Sequence, residues 1–255
     1  MCAAPVPDGQ SPSRPRITPI QWVGLAVLVL LLANSLGLLR LNSAGAVTDF
    51  LQSVLPRFIA IILAITIHEF SHGFVATLFG DDLPRRVGRL TLNPLKHLDP
   101  LGTLLILVGP IGWGKPMPIN PGAMRNPNLG WAMSSLAGPV SNILTAMVTA
   151  TVLGLAGASL GDADTYLTAF ITVNILLAVF NLIPIPPLDG FGFVFGLAPR
   201  AIKIALLPLQ TYGPLILLAV LFLPPLRPIV DGFIFGGLRI IVPVLRDICQ
   251  CNPIA

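Results

Sequence analysis

Five consecutive residues, His68-Glu69-Phe70-Ser71-His72, bring two imidazoles and a carboxylate into little more than one helical turn. Positions i and i+4 share a helix face, so both imidazoles can reach one zinc ion. Glu69, one residue on, can approach a water at that ion and act as general base, because zinc lowers the pKa of such a water to about 7. The chain has three histidines (His68, His72 and His97) and one glutamate, and three of these four residues sit in this pentapeptide, inside an apolar stretch. A charge at the centre of a membrane helix costs roughly 2.5–3.5 kcal/mol on insertion scales. A cluster placed there reads as functional.

A catalytic zinc site takes three protein ligands and leaves the fourth position open. A second glutamate is impossible, since the chain has none. The extended pattern HExxHxxGxxH also fails, because Val75 and Leu78 occupy its glycine and third histidine. His97 or an aspartate remains. Among the aspartates, Asp189 stands out in the run from Asn181 to Gly190, NLIPIPPLDG. Pro184, Pro186 and Pro187 remove backbone donors just before it and should break the preceding span. Unwound backbone at membrane depth is tolerated only in protein or beside a water-filled cavity. That puts a carboxylate where a metal could be.

The elements that must position these groups are membrane spans. Of the 255 residues, 54% are apolar and 10% charged, and the mean hydropathy is +0.85. A soluble domain carries about 25% charged residues. The composition excludes a water-soluble enzyme, a disordered chain and a nucleic-acid binder with a basic face. Apolar runs predict about six spans: 20–39, 54–79, 131–155, 166–184, 204–223 and 229–245. The piece 101–111 is too short to cross a bilayer and reads as re-entrant or β-like. With the N-terminus inside, eleven of the fifteen Lys and Arg residues fall on inside segments, in accord with the positive-inside rule. Arg85, Arg86 and Arg89 read as topological charges at that surface. Cys2, Cys249 and Cys251 lie at the two ends, so no disulfide framework is implied.

Four elements in order resemble the site-2 protease family of intramembrane zinc metalloproteases. They are HEFSH at 68–72, GRLTLNPLKHLDPLG at 88–102, the Ala137-Gly138-Pro139 triplet with Asn142, and the Asn181 to Asp189-Gly190 run. The likeness spans roughly 55–195 and is greatest to the compact bacterial and archaeal branch, which lacks PDZ and CBS domains. It implies that His68, His72 and Asp189 ligate one Zn2+, that Glu69 is the general base, and that Asn181 holds substrate backbone or the oxyanion. His97 becomes a neighbour of the site or a loop anchor, and Asn142 a helix-packing residue near it.

The expected fold class is therefore an all-α polytopic membrane protein with a short re-entrant or β-like segment after the second span. The expected division is a cytoplasmic tail 1–16, one intramembrane metalloprotease domain 17–246 and a tail 247–255. The expected activity is zinc-dependent cleavage of a peptide bond within or near a transmembrane segment. Its substrate would be a single-span membrane protein or a signal peptide, with the lipid bilayer as surroundings and no nucleic acid. The expected location is the plasma membrane, with the active site facing the cytoplasm. Segments 85–93 and 112–120 could hold an unwound substrate by β-addition. A zinc transporter or sensor using the same cluster is the rival, but it has no need of a base such as Glu69.

Overall fold

The computed structural model describes residues 55–100, 102–103, 113–156 and 160–249, with 48, 52 and 54 besides. The expected first span 20–39, the tail 1–16, Cys2, Cys251 and most of the apolar piece 101–111 lie outside the described residues.

The first described span, α1 (Leu55–Leu78), carries Pro56 in its first turn, where no backbone donor is missed. Gly80, at φ +107°, lets the chain leave that helix and turn into α2 (Leu83–Arg86). A connection with two 3-10 turns follows, Pro94–Lys96 and Pro121–Ala123. Each is capped by an asparagine side chain, Asn93 or Asn120, that accepts a backbone N–H two residues on. Then come α3 (Pro127–Ala156), α4 (Asp162–Asn181), the nine-residue α5 (Asp189–Leu197), α6 (Arg200–Phe222) and α7 (Arg227–Cys249). Among the described residues five helices are long and apolar enough to cross a membrane: α1, α3, α4, α6 and α7. Each of the five overlaps an expected span.

Helix α3 is the centre of the packing, with α1, α4, α5 and α7 all against it. Small buried residues make this possible: Ala60, Ala64, Gly73 and Ala76 on α1, and Gly130, Ala132, Ser134 and Gly138 on α3. In lipid no hydrophobic force separates helix from solvent, so close backbone approach and van der Waals contact carry association. Away from that seam, Ala146, Ala150, Ile171, Ile175, Val179 and Leu245 form a buried cluster of α3, α4 and α7.

Among the described residues the expected β-like segment is not found. No strand occurs among the described residues, and the one pairing after α1 is an isolated antiparallel bridge between Leu98 and Gly114. Segment 85–93 begins in the α2 helix, and 113–120 runs without a ladder. The reason lies in its backbone partners. Pro116, Pro118 and Pro121 remove donors, and side chains take up much of what remains: Arg89 bonds the Lys115 and Pro116 carbonyls, and Glu69 and Asp81 accept from Met117 and Asn120. The segment is a strap stitched to helices, with no strand among the described residues.

Helix α5 lies so close to α3 that a Cβ on Gly196 would sit 2.7 Å from the Ala132 nitrogen and 2.8 Å from its Cβ. Those are backbone-fixed atoms with nowhere to go. Gly196→Ala should therefore destabilise the protein by about 1–3 kcal/mol. The measurement is thermal unfolding in detergent, and an unchanged midpoint would mean that α5 is not clamped on α3.

Candidate metal centre

The His-Glu pentapeptide lies on α1, with His72 six residues and His68 ten residues before the helix end at Leu78. At 1.5 Å per residue that is about 9–15 Å along the axis. Asp189 arrives from a different route. Helix α4 ends at Asn181, residues 182–188 run as turns and bends, and α5 starts at Asp189 itself. The three prolines do unwind the chain at this point. Gly190 then allows the start of α5 to rest on the Leu182 and Ile183 carbonyls, where a Cβ would overlap both.

The three side chains converge. Nε2 of His68 lies 2.9 Å from Asp189 Oδ2, and Nε2 of His72 lies 3.3 Å from the same oxygen. The rings meet edge to face at 4.5 Å between centroids. His68, His72 and Asp189 are the one group of three or more metal-capable side chains among the described residues, with all ligand atoms within 4.8 Å of one another.

Neighbours fix which nitrogen carries each proton. His68 Nδ1 faces Asn142 Oδ1 at 2.5 Å. That oxygen is identified by its own amide nitrogen, which donates to the Ala64 carbonyl at 3.3 Å and to Asn174 Oδ1 at 2.7 Å. The Asn174 amide in turn donates to the Phe170 carbonyl. His72 Nδ1 faces the Ser134 carbonyl at 2.7 Å, and the Ser134 hydroxyl donates back to the His72 carbonyl at 2.8 Å. An oxygen acceptor demands a proton on the ring, so both Nδ1 atoms are N–H groups, and in the neutral rings that can ligate a metal both Nε2 atoms present lone pairs.

That tautomer choice tests the fit to a metal. Two lone pairs and a carboxylate oxygen point at one another, and Asp189 Oδ2 is buried with no proton donor. Three acceptors in a buried space repel unless a cation sits among them. Two imidazoles and a carboxylate are a zinc-type donor set that leaves a fourth position open. The residues fit a single zinc ion. Gly138 completes the wall, since a Cβ there would lie 2.5 Å from His72 Nε2 and 2.6 Å from His68 Cε1.

Glu69 points past the triad. Its Oε2 accepts the Met117 N–H at 2.7 Å. A cleft of about 430 Å3 joins Glu69, His68, His72 and Asp189 to Met117, Trp131, Ser135, Asn181 and Gln210. Asn181 lines that cleft, with its Nδ2 donating to the Leu177 carbonyl at 2.9 Å. His97 lies apart from the triad: its Nε2 bonds the Thr91 carbonyl at 2.6 Å, and its own carbonyl accepts from Lys115. It anchors the loop. Asn142 does more than pack helices, since it holds His68.

Arg89 departs from its expected surface role. Arg85 and Arg86 are exposed, but Arg89 is 7% exposed. Burial lowers its pKa from the ordinary arginine value, against an opposing pull from the Glu69 carboxylate. Met117, Ser134 and Asn174 were not singled out by sequence. Two of them act through the main chain, which leaves no trace in residue type, although Asn174 is a rare polar residue in an apolar span.

The chain is similar to known proteins. The chain is 41% identical over 184 residues to the candidate zinc metalloprotease YwhC of Bacillus subtilis, covering 68% of this chain and 83% of that protein. It is 33% identical over 181 residues to the candidate zinc metalloprotease Rip2 of Mycolicibacterium smegmatis, covering 65% and 66%. Rip2 of Mycobacterium tuberculosis is 32% identical over 228 residues, covering 79% and 82%. No family model and no solved structure matches the chain.

The purified protein should carry one zinc per chain by metal analysis. Asp189→Ala and His72→Ala should each strip it, whereas His97→Ala should stay near stoichiometric. Asn142→Ala should weaken zinc affinity about 10–100-fold by freeing the His68 ring. Zinc lost with His97 and kept without Asp189 would reverse the ligand assignment.

Proposed function

The chain belongs to the site-2-protease-like zinc metalloproteases, and from that premise we propose that it cuts a peptide bond within or beside a transmembrane segment of its protein substrate. It is a multi-pass membrane protein and a metal-dependent hydrolase. One observation carries the proposal: Glu69 and the His68, His72 and Asp189 cluster open on the same cleft. An acid–base group and a metal-capable triad thus face one reacting volume.

In this reading His68, His72 and Asp189 hold the ion and Glu69 is the general base. Zinc bound there supplies Lewis acidity and a water whose pKa is lowered to about 7. Glu69, steadied by the Met117 N–H, would act as the general base, taking a proton from the attacking water and returning it to the leaving amide nitrogen. Asn181 commits one amide hydrogen to the Leu177 carbonyl and has a second for substrate backbone or the developing oxyanion.

A helical substrate hides its amides, so it must unwind before attack. A single-span membrane protein or a signal peptide fits this demand. The basic residues favour a site reached from the cytoplasmic side of the plasma membrane, with 17–246 acting as one domain. A zinc transporter needs further stations for its ion. Among the described residues one such cluster occurs, which favours hydrolysis.

Glu69→Gln should keep zinc bound while proteolysis falls by about 10²–10⁴-fold. Full cleavage by that variant would end the proposal. Orientation is tested separately in a background lacking the native cysteines. A cysteine at Lys96 should react with a membrane-impermeant thiol reagent only in inside-out vesicles, and one at Asp162 only in right-side-out cells. Labelling of both from one side would overturn the cytoplasmic-facing site.

A further inference from the structure

Arg89 is a buried cation outside the metal triad, and the hydrolysis above leaves it without a task. It is 7% exposed, and its Nη2 donates to the Lys115 carbonyl at 2.6 Å and to the Pro116 carbonyl at 3.3 Å. The next N–H along that backbone, that of Met117, is the one given to Glu69 at 2.7 Å. The Met117 side chain lies over Gly73 on α1, where a Cβ would meet its sulfur at 3.0 Å. The strap has two further fixings: the Lys115 N–H donates to the His97 carbonyl at 2.7 Å, and the Asn120 N–H donates to the buried Asp81 carboxylate at 2.6 Å. Neither touches the peptide groups that flank Met117. Arg89 does.

We propose that Arg89 is a positioning residue for the reaction: by gripping the carbonyls of Lys115 and Pro116 it holds the Met117 N–H against the Glu69 carboxylate. The inference rests on the protease reading, since it matters only if Glu69 is the base. The bond leaves Glu69 one oxygen tied to the strap and one free to serve the water. A freely rotating carboxylate would serve that water only part of the time. An arginine suits the task because its charged guanidinium reaches both carbonyls from one nitrogen, whereas a glutamine amide is neutral and ends two bonds short of that position. The bonds are charge-assisted, and the guanidinium that makes them is itself buried.

The test uses the full chain, purified with zinc, and a synthetic transmembrane peptide carrying a fluorophore–quencher pair. Arg89→Gln should lower kcat roughly 100-fold, the scale of a misplaced reacting group, with KM and zinc content kept. Arg89→Lys should retain more activity than Arg89→Gln. Met117→Pro removes the N–H itself, and combining it with Arg89→Gln should add no further loss, because both act through one bond. Additive losses, or loss of zinc in step with activity, would overturn the proposal and leave Arg89 a general stabiliser. Hydrogen exchange supplies a readout free of turnover: amides of 113–120 should exchange faster in Arg89→Gln, and unchanged protection would overturn the proposal by itself. If the wild-type chain leaves the peptide intact, the protease reading fails instead, whatever the strap does.

Discussion

With both rings neutral, three lone-pair-bearing atoms, Nε2 of His68, Nε2 of His72 and Oδ2 of Asp189, are held within contact of one another in a buried space. Such a set is repulsive alone and attractive around a cation. The surrounding structure serves that constraint. Nδ1 of each ring must keep its proton, so each needs an oxygen acceptor at a fixed place. Asn142 supplies one and the Ser134 carbonyl the other. Both come from α3, which explains why α3 must lie against the HExxH face of α1. Gly138 makes the approach possible at the rings themselves.

The same constraint sets the path of the chain after α4. A carboxylate must enter from outside the α1–α3 pair, and a continuous span would carry it past the site. The Leu182–Leu188 turns stop the helix and restart it at Asp189, with glycines on α5 letting it settle against α3. Polar side chains that would be costly singly in an apolar bundle are each paired. Asn142 and Asn174 satisfy one another and the backbone of α1 and α4, so the cost of placing them there is met within the protein. Opposite them, Glu69 is steadied from a strap that is itself bonded to side chains of the α1–α2 region.

How much of this was legible in the sequence follows from what sequence encodes. HEFSH and the Asp189 run were visible because rare polar types stood in an apolar chain at ligand spacing. The five described spans were visible because length and apolarity define them. The strap was misread. The proline and glycine content of 112–120 suggested an extended edge, whereas among the described residues its side-chain partners, far apart in sequence, leave only a single bridge. Arg89 was misread for a related reason: a cation beside two exposed arginines looks like a topological charge until its burial is known. Ser134 and Met117 contribute main-chain atoms, which any residue type supplies. His97, with the right chemistry for a ligand, is buried against Thr91 instead.

The convergence of two imidazoles and one carboxylate on a single ion is tested most directly by zinc K-edge X-ray absorption on the purified protein. Two imidazole nitrogens at about 2.0–2.1 Å and carboxylate oxygen at about 2.0–2.2 Å are expected in the first shell. His97→Ala, which keeps its zinc, should leave that two-imidazole signal unchanged. A sulfur ligand, or a third imidazole that disappears in His97→Ala, would contradict the assignment of Asp189 and with it the architecture built around the triad.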